Sequence, residues 1–220
     1  MEEIVPGVFR IPLAPRDALN AYYADGVLFD TGVEASAQKI LGALGDRPLD
    51  AVALTHGHVD HVGGAAEVCG ARGVPLWCPA GDADAVASGD LRPLSPDNWF
   101  MSIAKPSARP VPVDRQLGEG DDVGEFAVVA APGHSPGQVA YWRARDRVLI
   151  AGDVVTSISL ATTLRGLHEP PRLFTVDPAQ NRRSARALAA LDPAVVLVGH
   201  GPPVRDGARF RQFADTLPAP

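Results

Sequence analysis

Five of the six histidines in this chain stand where a short apolar run gives way to a glycine-bearing turn. The densest group is Thr55-His56-Gly57-His58-Val59-Asp60-His61, directly after Ala51-Val52-Ala53-Leu54. Imidazole suits zinc and iron, and a carboxylate adds negative charge to a cation site. One small residue separates His56 from His58, so in a turn their rings can converge on one ion. Asp60 and His61 then point elsewhere and suit a second ion. Gly57 adds no side-chain volume where the backbone must bend sharply. The plain alternative is a solvated, His-rich loop, and the rest of the chain argues against it by supplying further ligands in similar settings.

Those further ligands are His134, Asp153 and His200. His134 lies in Ala131-Pro132-Gly133-His134-Ser135 after the strand-like Phe126-Ala127-Val128-Val129-Ala130. Asp153 follows Ala151-Gly152 and the run Arg147-Val148-Leu149-Ile150, and His200 follows Gly199 and the run Ala194-Val195-Val196-Leu197-Val198. Polar side chains in Gly/Pro-rich loops at the ends of buried strands are where a sheet-based enzyme places its chemistry.

H-x-H-x-D-H, a lone His, an Asp and a last His, in that order and over nearly the whole chain, resemble the metallo-β-lactamase fold superfamily of metal-dependent hydrolases. Leu28-Phe29-Asp30-Thr31-Gly32 is another sequence habitual in that family. The resemblance implies an α/β fold, a four-layer αββα sandwich of mixed sheets with helices on the outer faces and metals at the edge between the sheets. It further implies two divalent ions, with zinc preferred and iron or manganese as alternatives. His56, His58 and His134 resemble the first site, Asp60, His61 and His200 the second, and Asp153 the carboxylate between the two ions. Asp30 is read as a carboxylate that orients a ligating imidazole, with a turn or helix cap as its plainer role.

Composition sets bounds on function. A chain of 220 residues, 46% hydrophobic and 21% charged, suits one globular domain over 1–220. A net charge of −6 offers no basic stripe to displace counterions, so no nucleic-acid partner is expected. The first 25 residues hold no apolar run of signal-peptide length and no stretch approaches a membrane span, so a cytoplasmic protein with no membrane partner is expected. Cys69 and Cys78 read as small buried residues in a reducing compartment. The partner expected is a small-molecule substrate, and a homodimer is left open.

The elements that must hold these residues alternate along the chain. Val8–Ile11, Ala18–Tyr23 and Val27–Phe29 read as an antiparallel meander, with a tight turn at Asp25-Gly26. Helices are predicted over 34–45, 63–72, 81–88, from Asp177, and over about 206–217, with strands near 51–55, 74–78, 123–131, 138–143 and 147–151. Residues 90–112 carry five prolines and make regular structure unfavourable there. Trp99-Phe100-Met101 within this excursion is either self-packing or a lip over the substrate. Trp99 and Phe100 are candidate pocket residues on the second reading. His168, in the loop predicted after Asp153, reads as a hydrogen-bonded or surface residue rather than a ligand, and joins them as a candidate at the pocket.

By the resemblance, the chemistry is hydrolysis of an ester, thioester, lactone or related acyl bond by a metal-bound hydroxide, with Asp60 directing the attack as well as ligating. A mononuclear iron dioxygenase acting on sulfur or persulfide substrates, and a catalytically silent metal-binding protein, are the rival classes. Asp153-Val154-Val155-Thr156-Ser157-Ile158 lacks the Gly-Arg segment that glyoxalase II enzymes and persulfide dioxygenases carry after this Asp. It also lacks the tyrosine that follows it in acyl-homoserine lactonases.

Overall fold

The computed structural model describes residues 1–219 and holds fourteen strands and seven α-helices among them. The first half of the chain lays down one sheet in strict sequential order: β1 (Glu2–Val5), β2 (Val8–Pro12), β3 (Asn20–Ala24), β4 (Val27–Phe29), β5 (Ala51–Ala53), β6 (Leu76–Pro79) and β7 (Arg115–Leu117). β1 to β4 form an antiparallel meander, and β4 to β7 pair in parallel. Asp25 and Gly26 close the β3–β4 hairpin with φ of 52° and 76°, the two left-handed residues that a tight two-residue hairpin requires. The parallel pairs need crossovers, and these carry α1 (Ala37–Leu44), α2 (Val59–Val62), α3 (Ala65–Arg72) and α4 (Ala83–Ser88).

After the turn at 118–121 the chain builds a second sheet in the order β14-β11-β10-β9-β8. Its members are β8 (Asp122–Val123), β9 (Phe126–Ala130), β10 (Val139–Arg143), β11 (Val148–Gly152) and β14 (Val195–Val198). α6 (Pro178–Ala190) crosses from β11 to its parallel neighbour β14, and α7 (Gly207–Thr216) follows. Asp177 caps α6 by accepting a hydrogen bond from Gln180 N, with Pro178 at the first helical position.

Alternation along the strands sorts the apolar side chains into three cores. Ala21, Tyr23, Leu28 and Val52 face α1 and α3 through Ile40, Leu44 and Val68. Tyr22, Phe29 and Ala53, from the opposite face of the same strands, meet Phe126, Tyr141 and Ile150 between the sheets. Phe29 forms edge-on contacts with Phe126 and Tyr141 at centroid separations of 5.3 and 4.8 Å. Ala140, Leu149 and Val196 face α6 and α7 through Leu188 and Phe210. The result is the αββα sandwich. Cys69 and Cys78 are both free thiols in the first of these cores.

Two segments differ from the sequence expectation. The Pro-rich excursion contains a helix, α5 (Trp99–Ala104), where no regular structure is predicted. Its prolines flank the helix rather than interrupt it, and Asn98 Oδ1 caps it by accepting from Met101 N at 3.0 Å. The predicted loop after Asp153 contains a hairpin of β12 (Thr156–Ile158) and β13 (Arg165–His168). Its pairing rests on backbone registers, Thr156 opposite His168 and Ile158 opposite Arg165, without an alternating apolar pattern to announce it.

Candidate metal centre

Every candidate ligand sits at or just beyond a strand end on the edge shared by the two sheets. β5 delivers His56, His58, Asp60 and His61; β9, β11 and β14 deliver His134, Asp153 and His200. Ligand atoms of three groups lie within 4.8 Å of one another: His56, His58 and His134; His56, His61 and Asp153; and Asp60, His61 and His200. Asp153 faces both ends of this cluster, with Oδ2 3.7 Å from His134 Nε2 and 3.0 Å from His200 Nε2, and Oδ1 3.5 Å from His61 Nε2. Gly199 has to lack a side chain, because a methyl group there would overlap Asp153 Oδ1 and the His61 ring.

The orientation of the imidazoles decides what the cluster is for. His58 Nε2–H donates to Leu94 O at 2.9 Å, and His200 Nδ1–H donates to Ala18 O at 2.7 Å. His61 Nδ1–H donates to Asp30 Oδ2 at 2.8 Å. His134 Nδ1–H meets Thr175 Oγ1 at 3.2 Å, whose own proton goes to Pro171 O. His56 Nδ1–H meets Thr55 Oγ1 at 3.0 Å, and Thr55 passes its proton to Asp30 Oδ2 at 2.8 Å. Carbonyl and carboxylate oxygens only accept, so each ring is held with one N–H outward and the other nitrogen turned inward. His56 Nε2, His61 Nε2 and Asp153 Oδ1 are buried and have no hydrogen-bond partner among the described residues. Orphaned polar atoms of this kind are costly in a protein interior, and a cation satisfies all of them at once. The donor set, imidazole nitrogens with carboxylate oxygens, fits divalent zinc or iron.

A model of the metallo-beta-lactamase superfamily matches residues 17–200, which span this entire ligand set. The chain belongs to the metallo-β-lactamase superfamily. Its relatives include the probable metallo-hydrolase YflN of Bacillus subtilis (strain 168), 33% identical over 210 residues, covering 84% of this chain and 78% of that one. The hydroxyacylglutathione hydrolase of Acidiphilium cryptum (strain JF-5) is 32% identical over 215 residues, covering 94% of this chain and 73% of its own length. Among solved structures, TTHA1623 in a di-iron-bound form superposes with a TM-score of 0.69 at 30% identity, covering 89% of this chain and 93% of that one.

Like other charged clusters, this metallo-β-lactamase-fold site divides by electrostatic environment. Burial, reinforced by the neighbouring rings of His61, His58 and His134, holds His56 well below the ordinary histidine range. Burial and the adjacent His58 likewise bring His134 down to about 3. For His200 burial acts downward, but Asp153 and Asp60 outweigh it and raise the group to about 10. His61 is raised in the same way by Asp153 and Asp30 against the effect of burial. Burial would push Asp60 and Asp153 up, yet the surrounding imidazoliums hold both below the usual carboxylate range. In the metal-free protein, then, His56 and His134 are neutral and ready to ligate, while His61 and His200 carry the positive charge that a cation would replace.

A cavity of about 260 Å³ opens over the cluster, with His58, Asp60, His134, Asp153 and His200 in its lining. The aromatics expected at its wall are placed elsewhere. Trp99 is 73% exposed and stacks edge-on with Phe100 at 5.9 Å. Phe100 packs against Phe174, and it is Phe174 and Met101 that line the cavity. The helical geometry of α5 accounts for this, since consecutive side chains diverge around its axis and only Met101 turns inward. His168 sits on β13 outside the cavity lining, with a buried Nε2 that has no hydrogen-bond partner among the described residues.

Sequence reasoning missed Thr55, Thr175 and Asp82. Thr55 could have been found by its position beside His56, whereas nothing local marks Thr175. Asp82 is fully buried and accepts hydrogen bonds from Gly57 N at 2.8 Å, Ser135 Oγ at 2.8 Å and Gly137 N at 2.7 Å. It therefore ties the loop carrying His56 and His58 to the loop carrying His134. Asp30, held at φ 61°, accepts from Thr55 N, Thr55 Oγ1 and His61 Nδ1 and so anchors the other end of the ligand loop. Among the described residues, no helix is long and apolar enough to cross a membrane.

Proposed function

We propose that this protein hydrolyses an acyl bond of a small molecule, an ester, thioester or lactone, at a binuclear zinc centre. The observation that carries the reading is the fixed orientation of five imidazoles, each with a ring nitrogen turned toward the same cluster of carboxylates. His56, His58 and His134 would hold one ion and Asp60, His61 and His200 the other, with Asp153 shared between them. Bound there, two divalent ions supply a Lewis acid and a water acidic enough to act as a nucleophile near neutral pH.

The chain's own residues supply the rest. Asp60 lines the cavity with its side chain 36% exposed, so its free oxygen can accept a hydrogen bond from an attacking water and set the direction of attack. Asp30, Thr55 and Thr175 hold three of the rings against rotation, which keeps the constellation pre-organised while the substrate exchanges. Apolar walls exclude bulk water from the carbonyl under attack. Iron is the alternative metal, favoured by the di-iron form of TTHA1623. Elemental analysis of purified protein reconstituted with excess zinc, combined with a panel of esters, thioesters, lactones, phosphodiesters and β-lactams, tests both parts. About two tightly held ions per chain and turnover of an acyl substrate are expected. A ceiling of one ion removes the binuclear centre, and turnover of the phosphodiesters alone removes acyl hydrolysis.

A further inference from the structure

The cavity wall above the metal ligands has a definite chemical character. Val59, Leu91, Met101, Leu160, Pro171 and Phe174 are part of it, and among the described residues Ser95 is the single polar one of the lining outside the ligand set. No lysine or arginine occurs among the described residues that line it. A substrate carboxylate seated against such a wall would lose its hydration without gaining a guanidinium, an ammonium or a set of backbone donors. Sites built to take anionic substrates place a basic side chain in the wall, and this one does not.

The apolar surface also continues past the mouth. Leu160 belongs to the lining yet remains 39% exposed, and Leu164, in the same β12–β13 hairpin, is 66% exposed. Val59 is likewise both a lining residue and 40% exposed. Large aliphatic side chains shared between a cavity and its rim give a path along which a chain longer than the cavity can lie.

Building on the acyl-hydrolase reading, we infer that the site is specific for uncharged acyl substrates with an aliphatic chain, the chain running from the ligand cluster past Met101 and Phe174 and out over Leu160. The reaction breaks the acyl C–O or C–S bond and forms a C–O bond to the oxygen of water. One proton of that water passes to the leaving alkoxide or thiolate, and the acyl group departs as the carboxylic acid. Charge is excluded from the acyl chain by the wall rather than by the reacting centre, so neutral thioesters should be favoured over acyl groups that end in a carboxylate.

The test uses the zinc-reconstituted full chain with N-acetylcysteamine thioesters of acetate, butyrate, hexanoate and monoglutarate. kcat/KM is expected to rise at least about tenfold from acetyl to hexanoyl, and to fall at least about tenfold from hexanoyl to glutaryl. Leu160→Arg should narrow or reverse the hexanoyl-to-glutaryl ratio. A readout independent of turnover is binding of heptan-2-one and of 6-oxoheptanoate, which differ by a terminal methyl against a carboxylate, to the metal-free His200→Gln protein, whose cavity lining has lost the imidazole that could pair with a carboxylate. The neutral ketone is expected to bind at least about tenfold more tightly. Flat chain-length dependence, preference for glutaryl, or tighter binding of the oxo-acid overturns the inference and leaves acyl hydrolysis standing. Absence of turnover for every thioester, with activity on phosphodiesters, overturns both.

Discussion

Replacing Asp82 probes how the proposed first metal site would be held without touching a ligand. Its carboxylate receives three hydrogen bonds in a fully buried position, two of them from backbone N–H groups. A hydrogen bond to a charged group contributes about 1.5–3 kcal/mol, but these three share one carboxylate and are not additive. Asp82→Ala, which strands three donors, should therefore cost about 3–5 kcal/mol of stability, a large part of the total for a domain of this size. Asp82→Asn is the sharper test. Its amide oxygen can still accept from Gly57 and Ser135, while its NH₂ meets Gly137 N–H donor to donor, so the cost should drop to about 1–3 kcal/mol. Because Gly57 lies between His56 and His58, and Ser135 follows His134, the same change should weaken zinc at the first site by about 10–100-fold. Urea unfolding of the metal-free protein reads the first quantity, and chelator competition reads the second. A folded Asp82→Asn protein with zinc affinity within about twofold of the parent would refute the idea that this carboxylate sets the ligand loops.

Gly199→Ala should fold but hold fewer ions, because the added methyl meets Asp153 Oδ1 and the His61 ring; an unchanged metal content by elemental analysis would count against that geometry. The metal-free protein should lose stability as pH rises from about 6.5 to about 10. His200 is raised from 6.5 to about 10 on folding, so its contribution is complete below 6.5 and disappears as pH passes through the folded value. His61 acts with the same sign, while His56 and His134, lowered on folding, destabilise only on the acid side of about 6.5. Urea midpoints in the presence of chelator at pH 6.5, 8 and 10 check the slope, and a flat or rising series would contradict it. Trp99→Ala, at a 73% exposed position off the cavity, should shift stability by less than about 0.5 kcal/mol and leave substrate preference alone, whereas Met101→Ala should change chain-length preference. A changed preference in the Trp99 variant would show that α5 moves over the site.

Much of the architecture was legible because it rests on local chemistry. The apolar run 51–54 followed by H-x-H-x-D-H, the Asp25-Gly26 turn and the Asp177-Pro178 cap each combine a residue type with the position it occupies. β1 and β7 were not legible, since edge strands such as Arg115–Leu117 bury little and carry polar residues that sheet pairing tolerates. α5 was hidden by its prolines, which lie just outside it. The partners that orient His58 and His200 are the carbonyls of Leu94 and Ala18, and a backbone carbonyl leaves no mark on residue type. Asp82 was hidden for a related reason: its three donors come from residues 25 to 55 positions away, and only the folded chain brings them to it.

The sequential strand order has one further consequence. All seven strands of the first sheet precede the turn at 118–121, and all five of the second follow it. His56, His58, Asp60 and His61 thus come from one half of the chain, and His134, Asp153 and His200 from the other, so neither half alone carries a complete set for either of the proposed ions. The proposed metal centre would be a clasp across a seam. A chain cut within 118–121 should reassemble far better with zinc than with chelator, which would make ligand exchange at the centre inseparable from the grip between the two halves.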